Sequence, residues 1–245
     1  LVDDATLIRR LSLDICGSLP TLEEVKAFEA DTREGRRDRL IGRLLDRPEY
    51  AAYFAMKWSD ILRNRGKGYS TSKQRPGTAL FAGWIRDSLA TNKPYDQFVR
   101  EIITAQGSTL QNGPANYYRI ARKPTDLAET TTQVFLGVRI QCARCHHHPY
   151  EKYSQSDYYG LAAFFTRVGI KNQSKFDVLG GESIVILNSS GSISHPRLGK
   201  TMSPTPLGGE PIDTEGVRDL RRADRGRAFA RPTRGGALHR VQERT

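Results

Sequence analysis

A chain of 245 residues with 27% charged and 38% hydrophobic side chains has the make-up of a globular protein, long enough to bury one sizeable core or two small ones. No apolar run approaches the about 20 residues that a membrane-crossing helix needs, and three cysteines are too few for a disulfide framework, so neither is expected. The net charge of +11 is concentrated at one end, where residues 217–245 hold nine Arg against three acids, and the mildly basic remainder carries no aromatic-interleaved basic stripe. Nucleic acid is therefore not an expected partner.

The first half reads as successive helices. Leu7, Ile8, Leu11 and Ile15 recur at helical spacing behind Asp3 and Asp4, and Gly17 stops the run. Thr21 and Glu24 have the spacing of a capping box for a helix with Leu22, Val25 and Phe28 on its buried stripe. Residues 36–46 place Leu40, Leu44 and Leu45 on one face, and Pro48 suits the first turn of a helix reaching about Leu62. Gly66 to Gly77 reads as a loop. Helices resume around Leu80–Leu89 and Phe98–Ile103, separated by a break at Asn92-Lys93-Pro94.

Residues 106–124, with Gly107, Asn112-Gly113, Pro114 and Pro124, read as a long connection. Thr125 or Asp126 suits the cap of a helix that carries Leu127, Val134 and Phe135 and ends at Gly137. A helix from about Ser156 buries Tyr159, Ala162, Ala163 and Phe165. Beyond Arg167 the pattern changes: Phe176–Val178 and Ser183–Leu187 are β-prone around Gly180-Gly181. The fold expected is mainly α, a multi-helix domain over residues 1–216 with a small β-hairpin or ribbon near residues 176–200. Residues 217–245, poor in large apolar groups, are expected to be a disordered or frame-shifted tail, with nucleic-acid binding as its functional alternative. The chain begins at Leu1 without a visible secretory signal and reads as a fragment of a longer protein.

The chemically distinctive feature is Cys142-Ala143-Arg144-Cys145-His146, followed by His147 and His148. With this composition, one Cys-x-x-Cys-His arises by chance in about 5 of 10,000 arrangements. Two thiols and a histidine on one turn are what c-type haem attachment requires: the thiols hold the porphyrin and His146 supplies an axial nitrogen. Met56, Met202, His147, His148 and His195 are all capable of acting as a second axial ligand, and Tyr150, Tyr159 and Phe165 are candidates to wall a pocket. A rival reading places zinc on Cys142, Cys145 and His148 or His146, with His195 as the fourth ligand. A Cys142–Cys145 redox dithiol and plain helix-end packing are further alternatives. Cys16, within an apolar helical pattern, reads as a buried small hydrophobe. No phosphate-binding glycine loop, nucleophile elbow or paired carboxylates are visible.

The run Phe135-Leu136-Gly137-Val138-Arg139-Ile140-Gln141-Cys142 through His148-Pro149-Tyr150, followed by Asp157-Tyr158-Tyr159-Gly160-Leu161-Ala162-Ala163-Phe164-Phe165, resembles the planctomycete cytochrome-type domain of unknown function, found in large exported proteins. Three other stretches carry the same resemblance: Arg9-Arg10-Leu11-Ser12-Leu13-Asp14 with Leu19-Pro20-Thr21, Asn92-Lys93-Pro94-Tyr95-Asp96-Gln97-Phe98-Val99, and His195-Pro196-Arg197 leading to Leu207-Gly208-Gly209-Glu210. It covers about residues 1–217. The resemblance implies a cytochrome-like, electron-transferring role outside the cytoplasm, beside neighbouring domains of a longer protein. It names no substrate and no redox partner.

Overall fold

A computed structural model describes residues 2–64, 67–68, 71–74, 76–172 and 183–222. The fold is mainly α with a small antiparallel sheet. The described residues group into two compact units: the first takes in those of 1–65 and 81–93, the second those of 66–80 and 94–222. No described helix is long and apolar enough to cross a membrane.

In the first unit, α1 (Asp4–Cys16) begins where Asp3 accepts the Thr6 amide at 2.7 Å and ends at Gly17, whose φ of 69° is left-handed. Glycine is required there twice over, because a Cβ would also stand 2.5 Å from the Tyr53 ring. α2 (Leu22–Ala30) carries the expected capping box, with Glu24 N–H donating to Thr21 Oγ1 and Thr21 N–H donating to Glu24 Oε2. α3 (Arg36–Leu45) and α4 (Pro48–Ile61) follow, the latter opening on Pro48 as expected. Ile8, Cys16, Phe28, Leu40 and Leu44 form one core cluster, with Leu7, Leu11, Ile15 and Val25 packed against it. Cys16 is the buried hydrophobe anticipated. Its thiol donates to Leu44 O at 3.4 Å, and burial pushes its pKa up.

The stretch read as a loop before α5 (Pro76–Ala90) contains a two-stranded ladder, β1 (Lys67–Gly68) with β2 (Thr71–Gln74). In the second unit, α6 (Tyr95–Ile103) buries Phe98, Val99, Ile102 and Ile103. The expected connection over 106–124 is instead part of the core: β3 (Gly107–Ser108) leads to a 3₁₀ segment, Gly113–Arg119, in which Tyr117 and Tyr118 are fully buried. The Asn116 amide replaces a strand or helix partner here, donating to Thr109 O and Gly113 O at 2.9 Å. Tyr117 shares a 2.8 Å hydrogen bond with Thr131 Oγ1, and the Tyr118 hydroxyl donates to Ile103 O. α7 (Pro124–Thr131) starts one or two residues before the expected caps, because Pro124 at the first turn lacks an N–H that would need one.

α8 (Gln155–Ala163) is capped by Ser154 and Asp157. Of the expected hairpin, Ser183–Leu187 forms β5, while Phe176–Val178 lies outside the described residues. β5 pairs with β4 (Val168–Asn172) on one side and β3 on the other, both antiparallel. A strap from 204 to 222 then crosses the unit, with Thr205 N–H donating to Gly160 O. The approach is so close that a Cβ at Gly160 would lie 2.7 Å from Thr205 Cβ.

Packing continues past the boundary expected at Val217. Arg221 has a fully buried side chain, pairs with Asp219 at 2.8 Å, and donates through Nη1 to Ile103 O, Ala105 O and the Tyr118 hydroxyl. Those carbonyls are the unsatisfied acceptors at the C-terminal end of α6, where a cation is also favoured by the helix dipole. Residues 223–245 lie outside the described residues. Removing a buried cation takes from Asp219 its closest partner and from each carbonyl a donor, so Arg221→Ala is expected to lower unfolding free energy by roughly 3 kcal/mol. Arg221→Lys, with no planar fork to span Asp219 and the carbonyls together, is expected to recover only part of that loss. Urea unfolding of the three proteins measures both effects, and equal midpoints for wild type and Arg221→Ala would remove the role given to this contact.

Candidate haem-attachment site

The Cys-containing turn is positioned from both sides by the second unit. After α7 the chain makes one π turn, Thr132–Leu136, and reverses at Gly137, whose φ is 68°. Ile140 is buried and starts a 3₁₀ turn, Gln141–Arg144, with Ala143 N–H donating to Ile140 O at 2.9 Å. Ala143 has no exposed surface, so the turn is nailed down through its second residue. From the other side, the Arg144 carbonyl accepts from Gln155 Nε2 at 2.8 Å and from the Tyr159 hydroxyl at 3.4 Å, both on α8.

Arg144's side chain reaches Glu129 on α7 at 3.7 Å, and Glu129 also accepts a 2.5 Å hydrogen bond from Tyr158. Burial, with this bond to a carboxylate, pushes the Tyr158 phenol up and keeps it protonated as the donor. A ring of α7, α8 and the Cys turn is thereby closed by polar contacts that a periodicity search does not see. Glu129 and Tyr158 are the residues that the sequence reading missed, and their only signal was a carboxylate and a phenol on helices flanking the motif.

Cys142 and Cys145 are both free thiols and both exposed. Cys142 lies within the 3₁₀ turn and Cys145 is its C-cap, with Cys145 N–H donating to Cys142 O at 3.4 Å, while Ala143 is buried in the core. His146 follows, also exposed. Its Nδ1 lies 2.6 Å from His147 O, a carbonyl that can only accept, which puts the ring proton on Nδ1 and leaves the Nε2 lone pair outward.

His148 does something different. Its Nδ1 accepts from the backbone N–H groups of Tyr150 and Glu151 at 3.2 and 2.9 Å, and its Nε2–H donates to Arg139 O at 3.0 Å. Both ring nitrogens are thus consumed in holding the loop. His195 repeats the device: its Nδ1 accepts from Arg197 and Leu198 N–H at 3.3 Å each, and its buried ring packs 5.7 Å from Tyr159. In each case the pattern is His-Pro-x-x, with the two amides after the proline aimed back at the imidazole. A histidine in this state has its proton on Nε2 and no lone pair to give a metal.

Cys142, Cys145 and His146 are all exposed at the same turn, while His148 and His195 support their loops through backbone hydrogen bonds. Among the described residues no group of three or more Cys, His, Asp or Glu side chains is arranged to hold a metal ion. Of the suggested pocket walls, Phe165 is fully buried core and Tyr150 is 93% exposed, leaving Tyr159 beside the site through its bond to Arg144 O. Met56 lies on α4 in the first unit and is exposed.

Replacing His148 by Ala leaves two amides and one carbonyl of the loop without their partner, so a loss of roughly 1 kcal/mol is expected. The sharper readout is amide hydrogen exchange, which is expected to accelerate at Tyr150 and Glu151 and to stay unchanged on α6.

No curated protein and no solved structure matches the chain. The sequence model of one family does match, over residues 1–169, a span that includes the helices of the first unit and the whole Cys-containing turn. The motif at His195-Pro196-Arg197 lies beyond the matched residues. The chain is a member of the PSCyt2 family, described as a protein of unknown function (DUF1549).

Proposed function

We propose that this chain is a c-type haem-binding domain that takes part in electron transfer as a segment of a longer, extracytoplasmic protein. The observation that carries the reading is the pair of free, exposed thiols three residues apart at one 3₁₀ turn and its cap, next to a histidine whose Nδ1 faces a carbonyl. Haem, held through thioethers, would supply a one-electron centre whose potential depends on its ligands and its burial. Cys142 and Cys145 would tether it, and His146 would present Nε2 as an axial ligand.

The remaining residues act on those three. The His147 carbonyl orients the His146 ring and fixes its tautomer, as a hydrogen-bonded partner does for metal-ligating histidines generally. Ala143 and the Arg144 carbonyl fix the turn against Ile140 and α8, so that the thiols are presented on a rigid element. An extracytoplasmic location is part of the same proposal, because covalent attachment of this kind is completed outside the cytoplasm. Zinc is the rival cofactor, and the hydrogen bonds that occupy His148 and His195 weigh against it.

Expression of the full chain with an exported leader and a haem-attachment system tests the proposal. One covalent haem per chain is expected in the wild type and none in Cys142→Ala with Cys145→Ala. His146→Ala is expected to retain attachment with a shifted Soret band, because only axial ligation is lost. Wild-type protein that instead carries stoichiometric zinc, released by the double cysteine substitution, would establish the rival reading. Folded wild type with two unmodified thiols and no haem would end the haem proposal.

A further inference from the structure

Tyr117, Tyr118 and Tyr158 are fully buried, and their hydroxyl groups have different partners. Tyr117 shares a hydrogen bond with the Thr131 hydroxyl, and Tyr118 lies between the Ile103 carbonyl and the Arg221 guanidinium. None of those partners is a base that could take a proton. Tyr158 instead donates to Glu129 Oε1 at 2.5 Å, the length of a hydroxyl bound to a charged carboxylate. The same oxygen faces Arg144 Nη1 at 3.7 Å, and the Glu129 side chain is only 18% exposed.

Burial, then the hydrogen bond and charge of Glu129, push the Tyr158 phenol up, so the proton stays on the phenol in the resting protein. Loss of an electron reverses that balance. A phenol radical cation is a strong acid, and a buried charge of that kind without a partner is costly. The carboxylate is placed to take the proton along the existing hydrogen bond, which leaves a neutral phenoxyl beside a neutral carboxylic acid. The electron also has a way out. The Tyr159 ring stands edge-on at 5.0 Å from the Tyr158 ring, and its hydroxyl donates at 3.4 Å to Arg144 O, the carbonyl just before Cys145. Tyr159 is half-buried, so one intervening ring links the buried phenol to the surface at the Cys-containing turn.

We propose that Tyr158 and Glu129 form a proton-coupled redox site, in which the buried phenol gives up one electron and Glu129 holds the proton until the electron returns. In the forward step the Tyr158 O–H bond breaks and an O–H bond forms on Glu129 Oε1. The electron passes by way of Tyr159 to a one-electron oxidant stronger than the phenol couple. Reduction of the phenoxyl reverses both movements, so the site stores a single oxidising equivalent beside the Cys-containing turn. The inference rests on the electron-transfer reading of that turn only for where the oxidant arises. Its test supplies an oxidant of its own, so failure here and failure of the haem reading are separate results.

The full chain is oxidised with photogenerated tris(bipyridine)ruthenium(III), with persulfate as electron sink, and followed by transient absorption and electron paramagnetic resonance. A long-lived phenoxyl component is expected, because solvent does not reach the Tyr158 ring. Its rate of formation is expected to be independent of buffer concentration, since the proton acceptor is internal. Tyr158→Phe, which keeps the ring and its packing, is expected to remove this component and leave the short-lived signal of exposed tyrosines. Glu129→Gln keeps a hydrogen-bond acceptor but no base, and is expected to slow formation about 100-fold and make it depend on buffer concentration. Circular dichroism matching the wild type establishes that both isosteric variants are folded. A long-lived component that survives in Tyr158→Phe, or that forms at the wild-type rate in Glu129→Gln, would overturn the proposal. So would a wild type in which only short-lived radicals form.

Discussion

Everything in the second unit is organised around the carbonyl groups at the end of α6. Ile103 O takes the Tyr118 hydroxyl and Arg221 Nη1, and Ala105 O takes the same Arg221 nitrogen. One buried guanidinium therefore ties together α6, the 3₁₀ segment from Gly113 to Arg119 and the end of the strap. Asp219 makes this burial tolerable by pairing with Arg221 Nε and Nη2, and it takes a further hydrogen bond from Gln106 at 3.1 Å. Arg222 adds a 3.2 Å bond to Thr104. The network is satisfied at nearly every atom, the condition under which a buried charge specifies structure.

The same logic, a polar side chain standing in for a missing backbone partner, recurs along the functional segment. His148 and His195 each collect two amides that follow a proline, and Asn116 collects two carbonyls. These segments have no regular ladder of their own, yet their backbone groups are paired, and that is what allows irregular chain to lie inside a packed unit. The Cys-containing turn benefits directly. It is short, and its thiols are exposed, but it hangs from Ile140, Ala143 and the Arg144 carbonyl, which the flanking helices hold.

Histidine chemistry divides along this line. His146 keeps its acceptor nitrogen free because a carbonyl takes its proton, whereas His148 and His195 have amides on Nδ1 and so carry their proton on Nε2. Neighbouring histidines of the same type thus end with opposite tautomers, one suited to binding a metal centre and two suited to closing turns. Spacing along the chain cannot separate them, since the tautomer is set by which backbone group the fold brings to the ring.

The helices of the first unit were legible because their signals are local: the Asp3 cap, the Thr21–Glu24 box, the stop at Gly17, Pro48 at a first turn and apolar residues at helical spacing. The strand Ser183–Leu187 was legible for the same reason. What the sequence left open depends on partners distant in the chain. Residues 106–124 looked like a connection because a 3₁₀ run has no apolar period of 3.6, and its burial rests on Asn116, Thr131 and Arg221. The partners of β5, Val168–Asn172 and Gly107–Ser108, were not legible, because strand pairing is a long-range choice. Arg221 looked like one more arginine of a charged tail, and only tertiary structure, by aiming the ends of α6 at it, makes it a core residue.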